Sequence, residues 1–195
     1  MRRAVLVGLG QGQRPEALAL LLEALDTDDP STRLVVVSSL AAFDDPEVIR
    51  ALARAARDDD ASVRDAALEL LALRPDPRAT EALAGLLGRP AIAARLDRIL
   101  ATPLDGRVAG LVAALDTADG EPALLMALAL ARLGGPEAEA ALIDLCWNGP
   151  LPARRAAVEA LREVPGAPAR ETLEAVSARD PDPAVRRAAA LALVG

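Results

Sequence analysis

At 195 residues, 52% hydrophobic but only 1% aromatic, the chain must build its core from Ala, Leu and Val. That composition favours many closely approaching helices over a thick sandwich or barrel. Net charge is −7, with 22 arginines and no lysine or histidine. This argues against broad binding to nucleic acid or anionic membrane, and the lack of histidine excludes a Ser-His-Asp triad, a Cys-His pair and a histidine metal site. Cys146 is the single cysteine, so neither an intrachain disulfide nor a cysteine zinc cluster is available, and no apolar run is long enough to span a bilayer.

Along the chain one phrase recurs. Leu9, Leu40, Leu71, Thr102, Leu133, Leu161 and Leu193 are spaced by 31, 31, 31, 31, 28 and 32 residues. Seven residues before each stands a second column: Arg2, Arg33, Arg64, Arg95, Met126, Arg154 and Arg186. A period of this size marks a stacked helical array. The units are approximately 1–30, 31–60, 61–90, 91–119, 120–150 and 151–182, with a half unit at 183–195, all in one repeat domain over 1–195.

The first unit opens on "MRRAVLVGLG". Gly8, Gly10 and Gly12 imitate a phosphate loop, but the full dinucleotide fingerprint is absent. The strand-like "RLVVVSSL" of the second unit falls in register with helical segments of other units, so Gly10 and Gly12 are read as a helix end and a turn.

In the third unit "SVRDAALELLAL" puts Val63, Ala67, Leu70 and Leu71 on one helical face. "RPDP" then breaks the helix, and Pro77 opens a second one with Ala79, Leu83, Leu86 and Leu87 on its apolar face. Between units lie acidic turns, "DTDDPS", "DDDAS", "DTADGEP" and "DPDP", whose Asp and Ser oxygens suit the free N–H groups and positive end of the next helix. Capping is accordingly preferred to cation binding for Asp58, Asp59 and Asp60.

The fourth unit departs from the pattern. Asp97 occupies a normally apolar column and Thr102 replaces Leu, while Ile92, Leu96, Ile99 and Leu100 form a rotated apolar face. Either a register change turns Asp97 outward, or the stack bends there to shape a binding surface. In the fifth unit Met126 interrupts the arginine column, and the loop "LGGPEAE" is three residues tighter than its counterpart, which accounts for the short spacing. Cys146 falls at an apolar position and is expected to be a small buried hydrophobe. Trp147, the only tryptophan, ends a second helix and is either a binding anchor or a space filler.

An acidic turn followed by "SVRDAA" or "AVRRAA" and then "DP" resembles HEAT repeats, most of all the short bacterial class known from phycobilisome lyases. The resemblance covers essentially the whole chain. It implies an all-α fold, a right-handed α-α superhelix (HEAT-like solenoid) of about six helix pairs with partial units at the ends. It also implies a ladder in which a turn Asp meets the arginine of the following helix, here Asp28 with Arg33, Asp59 with Arg64 and Asp182 with Arg186. In such arrays the second helices usually line a concave binding side.

On that basis the expected function is a non-catalytic, cytoplasmic protein–protein interaction scaffold or adaptor. No catalytic residue, cofactor or metal is assigned, and neither nucleic acid nor membrane is an expected partner. Outward positions on the second helices carry mixed charge: Glu16 and Glu23, then Arg50, Arg54 and Arg57, then Arg78 and Glu81, then Glu137 and Asp144. Arg50, Arg54, Arg57, Arg78, Glu81, Glu137, Asp144 and Trp147 form the expected partner-binding set. The apolar first and last segments lead to the expectation of end-to-end association or of membership in a longer array. Two alternatives follow from resemblance alone: a bilin lyase subunit acting on phycobiliproteins, and a relative of HEAT-like alkylpurine DNA glycosylases, the latter disfavoured by the acidic charge.

Overall fold

Helix starts are written into the sequence by Asp and Pro. In the computed structural model, which describes residues 15–194, Asp29 accepts from the Ser31 N–H, Asp45 from Glu47, Asp60 from Ser62 and Val63, Asp76 from Arg78, and Asp182 from Ala184 and Val185. A proline in the first turn follows four of these five caps, where its missing N–H leaves no bond unmade. Each such cap is worth roughly 1 kcal/mol.

The resulting helices are α1 (Pro15–Ala24), α2 (Pro30–Leu40), α3 (Pro46–Ala55), α4 (Ala61–Ala72), α5 (Pro77–Ala84) and α6 (Pro90–Leu100). They continue as α7 (Arg107–Leu115), α8 (Gly120–Leu133), α9 (Gly135–Asn148), α10 (Leu151–Leu161), α11 (Ala167–Arg179) and α12 (Pro183–Ala192). No strand occurs among the described residues, and "RLVVVSSL" is helical within α2. The glycine-rich stretch at Gly8, Gly10 and Gly12, with Arg2 and Leu9 of the two columns, lies outside the described residues.

The chain divides into two compact units, Met1–Arg74 and Pro75–Gly195. In the first, α2 and α4 stack side by side, α1 packs on α2, and α3 packs on both α2 and α4. Its core is Leu21, Val36, Val37, Leu40, Val48, Leu52, Val63, Leu68 and Leu71, each sealed from solvent. Arg74 closes this unit by donating to the Leu40 and Phe43 carbonyls at 3.1 and 3.0 Å.

The second unit is two layers of helices. The first helices α6, α8, α10 and α12 stack in order, and so do the second helices α5, α7, α9 and α11. Leu83, Leu96, Leu100, Leu111, Leu130, Leu142, Val158, Val176 and Val185 fill the space between the layers. Two places depend on glycine. A Cβ on Gly110 would stand 2.3 Å from the Pro77 carbonyl oxygen and 2.5 Å from Thr80 Cβ, so α7 approaches α5 backbone to backbone. Gly134 and Gly135 take φ of 64° and 79°, turning α8 into α9 without a loop. That corner is the cause of the short 28-residue spacing.

Candidate functional site

Three arginines of the first-helix column share one task. Arg33 Nη1 donates to the Thr27 and Asp28 carbonyls at 3.0 and 3.1 Å, Arg64 Nη1 to those of Asp58 and Asp59, and Arg186 Nη1 to those of Asp180 and Pro181. Each therefore ties its helix to its own preceding turn. The expected carboxylate pairs are different from those observed. Arg33 does not pair with the Asp28 side chain; its Nε and Nη2 take both oxygens of Asp58, at 2.8 Å each. Arg154 Nε takes Asp180 at 3.1 Å.

Competition for the turn carboxylates explains these pairings. Asp60 and Asp182 cap their own helices, and the side chains of Asp28 and Asp59 remain exposed. The carboxylate that reaches the column arginine comes from the first Asp of the next turn, 25 or 26 residues on, brought in by stacking. Arg33 donation holds the Asp58 carboxyl below its ordinary range. Asp180 is only 3% exposed and also accepts from the Asp182 N–H at 2.8 Å. These residues hold repeats together.

Asp97 is the register change in the fourth unit. Arg33, Arg64, Arg154 and Arg186 sit three residues after the first residue of their helices, whereas Arg95 sits five after Pro90. The shift rotates Asp97 to the surface, where it forms an ion pair with Arg132 of α8, Nη1 to Oδ2 2.7 Å. Arg132 lowers the Asp97 pKa through that hydrogen bond.

The expected binding residues fall on both units. In the N-terminal unit Arg50 and Arg54 are exposed on α3 and Arg57 just beyond its end. Arg50 pairs with Glu47 at 3.2 Å, Arg54 with Asp26 at 3.0 Å, and Arg57 donates to the Ala53 carbonyl at 2.8 Å. Such exposed pairs hold their partners by under ~1 kcal/mol and yield readily to a competing ligand. In the C-terminal unit Arg78 is exposed on α5 and pairs with Asp76, which caps the same helix; Glu81 is exposed one turn further on.

Glu137, Asp144 and Trp147 share the outer side of α9. Ala138, Leu142, Leu145 and Cys146 fill its buried side. Trp147 follows Cys146 by one residue, a 100° step that carries the indole off the buried side, and it is 43% exposed. The rest of its surface is covered, so the indole both packs against its neighbours and keeps an exposed face. Asp144 accepts from the Asn148 side-chain amide at 2.6 Å. Cys146 is fully buried, and burial pushes its thiol up to about 12, with the Asp180 charge adding to the effect. It is an inert hydrophobe, as its position in the repeat implies.

Two features escaped the sequence reading. Arg107, at the start of α7, is 2% exposed and donates to Thr80 Oγ1 at 3.2 Å; burial lowers its pKa. Gly106 and Gly110 beside it were the signal, since they let α7 close onto α5 around the guanidinium. A cleft of about 490 Å³ also opens on the first-helix layer of the C-terminal unit, lined in part by Leu124, Leu151, Pro152, Arg155 and Glu159. No cluster of three metal-ligating side chains exists among the described residues, and no helix there is long and apolar enough to cross a membrane.

The match to a protein family agrees with this architecture. A family model of HEAT repeats matches residues 1–72, 19–101 and 108–194. Human deoxyhypusine hydroxylase in complex with glycerol aligns over 98% of this chain and 77% of its own, at 20% identity and TM-score 0.45. An engineered protein aligns over 91% and 95% at 22% identity and TM-score 0.38, and a designed armadillo repeat protein over 98% and 92% at 17% identity and TM-score 0.32. No curated protein matches the sequence significantly.

Proposed function

The chain belongs to the HEAT repeat family, and from that premise we propose that it is a non-catalytic scaffold or adaptor that binds another protein through the outer sides of its second helices. The observation that carries this reading is the exposure of Trp147. A tryptophan offers a large apolar surface at little entropic cost, and tryptophans dominate the centres of protein interfaces. Here the only one in an alanine-and-leucine chain keeps an exposed face, on the last turn of α9. Arg50 and Arg54 on the second helix of the N-terminal unit, with Arg57 just beyond its end, offer a separate basic contact set whose internal pairings are weak enough to be exchanged.

The test is affinity capture from a lysate of the source organism on immobilised wild type and on Trp147→Ala, with matched circular dichroism as proof of folding. A specific protein held by the wild type and reduced roughly 30-fold in affinity by the variant, a loss of about 2 kcal/mol, is the expected result. A partner held equally by both would remove Trp147 from the interface and the reading with it.

A further inference from the structure

The first-helix layer of the C-terminal unit leaves apolar surface uncovered on its outer side. Two residues before the recurring leucine, other units carry Ser38, Glu69, Ala131 and Glu159, but α12 carries Leu191, which is 74% exposed. Glu159 is exposed on α10 although α8 and α12 flank that helix, so further stacking would leave the Leu191 position open too. Leu151, the first residue of α10, is 40% exposed and lines the cleft already described on this layer. Leu124, Pro152, Ala156 and Ala188 give that cleft its apolar wall, and Leu191 stands one turn beyond Ala188 on α12.

The charges at the cleft are of both signs. Arg155 and Glu159 line it one turn apart on α10; both are exposed, and neither joins an ion pair among the described residues. Asp119 lines it on the α8 side, Arg187 is exposed on α12, and the Asp182 carboxylate is spent on capping α12. A partner of single charge sign therefore meets a like charge wherever it lies on this face. A second copy of the chain avoids that conflict. Contact about a twofold axis sets residue i against j and j against i, so Arg155 of each copy meets Glu159 of the other. We propose that this face binds a second copy of the chain about a twofold axis beside the Arg155–Glu159 turn of α10, each copy covering the Leu151 and Leu191 of the other. The contact uses the first helices and is independent of the scaffold reading, which concerns the second helices.

Sedimentation velocity over about a hundredfold range of concentration tests this, with circular dichroism to confirm that each variant is folded. The expected wild-type mass rises with concentration from 20.2 kDa toward twice that value. Leu191→Asp should weaken the dimer about tenfold or more, while Leu73→Asp, at a leucine as exposed in the N-terminal unit, leaves it unchanged. Arg155→Glu and Glu159→Arg should each weaken it about tenfold, because each sets like charges against one another. The double variant Arg155→Glu/Glu159→Arg should return to within about threefold of wild type, and the two single variants should associate when mixed. A mass of 20.2 kDa at every concentration, a dimer indifferent to Leu191→Asp, or a double variant no tighter than the singles would overturn the proposal. None of these variants changes Trp147, so each of these results leaves the scaffold reading to its own test.

Discussion

Replacing Asp180 by Ala removes a carboxylate that is almost wholly enclosed, 3% exposed, and leaves Arg154 with only 17% of its side chain in water. Breaking a buried ion pair from one side costs about 3–5 kcal/mol when the orphaned charge is fully enclosed. Partial access of water to Arg154, and its surviving bond to the Gly149 carbonyl, bring that to about 2 kcal/mol. Loss of the acceptor for the Asp182 N–H adds about 1 kcal/mol. The expected total is therefore about 3 kcal/mol. Urea unfolding followed by Trp147 fluorescence reports on this unit directly, since Trp147 and Asp180 both lie in Pro75–Gly195. A cycle with Arg154→Met should give a coupling near 2 kcal/mol, because the double variant no longer encloses a lone charge. A loss under about 1 kcal/mol for Asp180→Ala, or zero coupling, would refute the view that this pair locks α10 to the turn before α12.

Other perturbations follow from the same geometry. Gly110→Ala should destabilise the C-terminal unit by about 3 kcal/mol in the same urea assay, since the new Cβ meets backbone oxygen that cannot move aside. Cys146 should resist thiol reagents at pH 8 until urea exposes it. Its thiol ordinarily titrates at 9.0 but is raised to about 12 in the fold, so the unfolded chain loses its proton first and stability should decline as pH rises above 9, a decline that Cys146→Ala abolishes. Asp58 works in the opposite direction. Arg33 lowers its pKa below 3.8, so its contribution is complete above that value and is lost as pH falls through the lower folded pKa. Acid unfolding of the N-terminal unit, followed by circular dichroism, should therefore be less steep in Arg33→Met.

How much of this was legible in the sequence varies by kind of interaction. Caps are local: Asp45 and Pro46, or Asp76 and Pro77, are neighbours, so reading them in order finds the helix starts. Periodicity likewise finds most of the apolar faces: Val63, Ala67, Leu71 and Leu83 are buried, but Leu68 rather than Leu70 completes the α4 face, and Leu86 and Leu87, though buried, lie in the turn after α5 ends at Ala84. The arginine column was visible, but its carboxylates were misassigned. Arg33 lies five residues from Asp28 and twenty-five from Asp58, and only stacking of α2 on α4 brings the distant one into place. Arg107 was hidden because arginine is ordinarily exposed, and the cavity that takes it exists only where Gly110 lets two helices approach. Trp147 was ambiguous for a related reason: one residue of rotation on α9 separates a core side chain such as Cys146 from a surface one.

The most direct measurement of the central claim is acrylamide quenching of Trp147, in the free chain and in complex with a captured partner. The fluorescence has one source, so no deconvolution is needed. The account predicts ready quenching of the free chain, in keeping with 43% exposure, and strong protection in the complex. An indole quenched equally in both states would place the partner elsewhere and contradict the assignment of the α9 face as the binding surface.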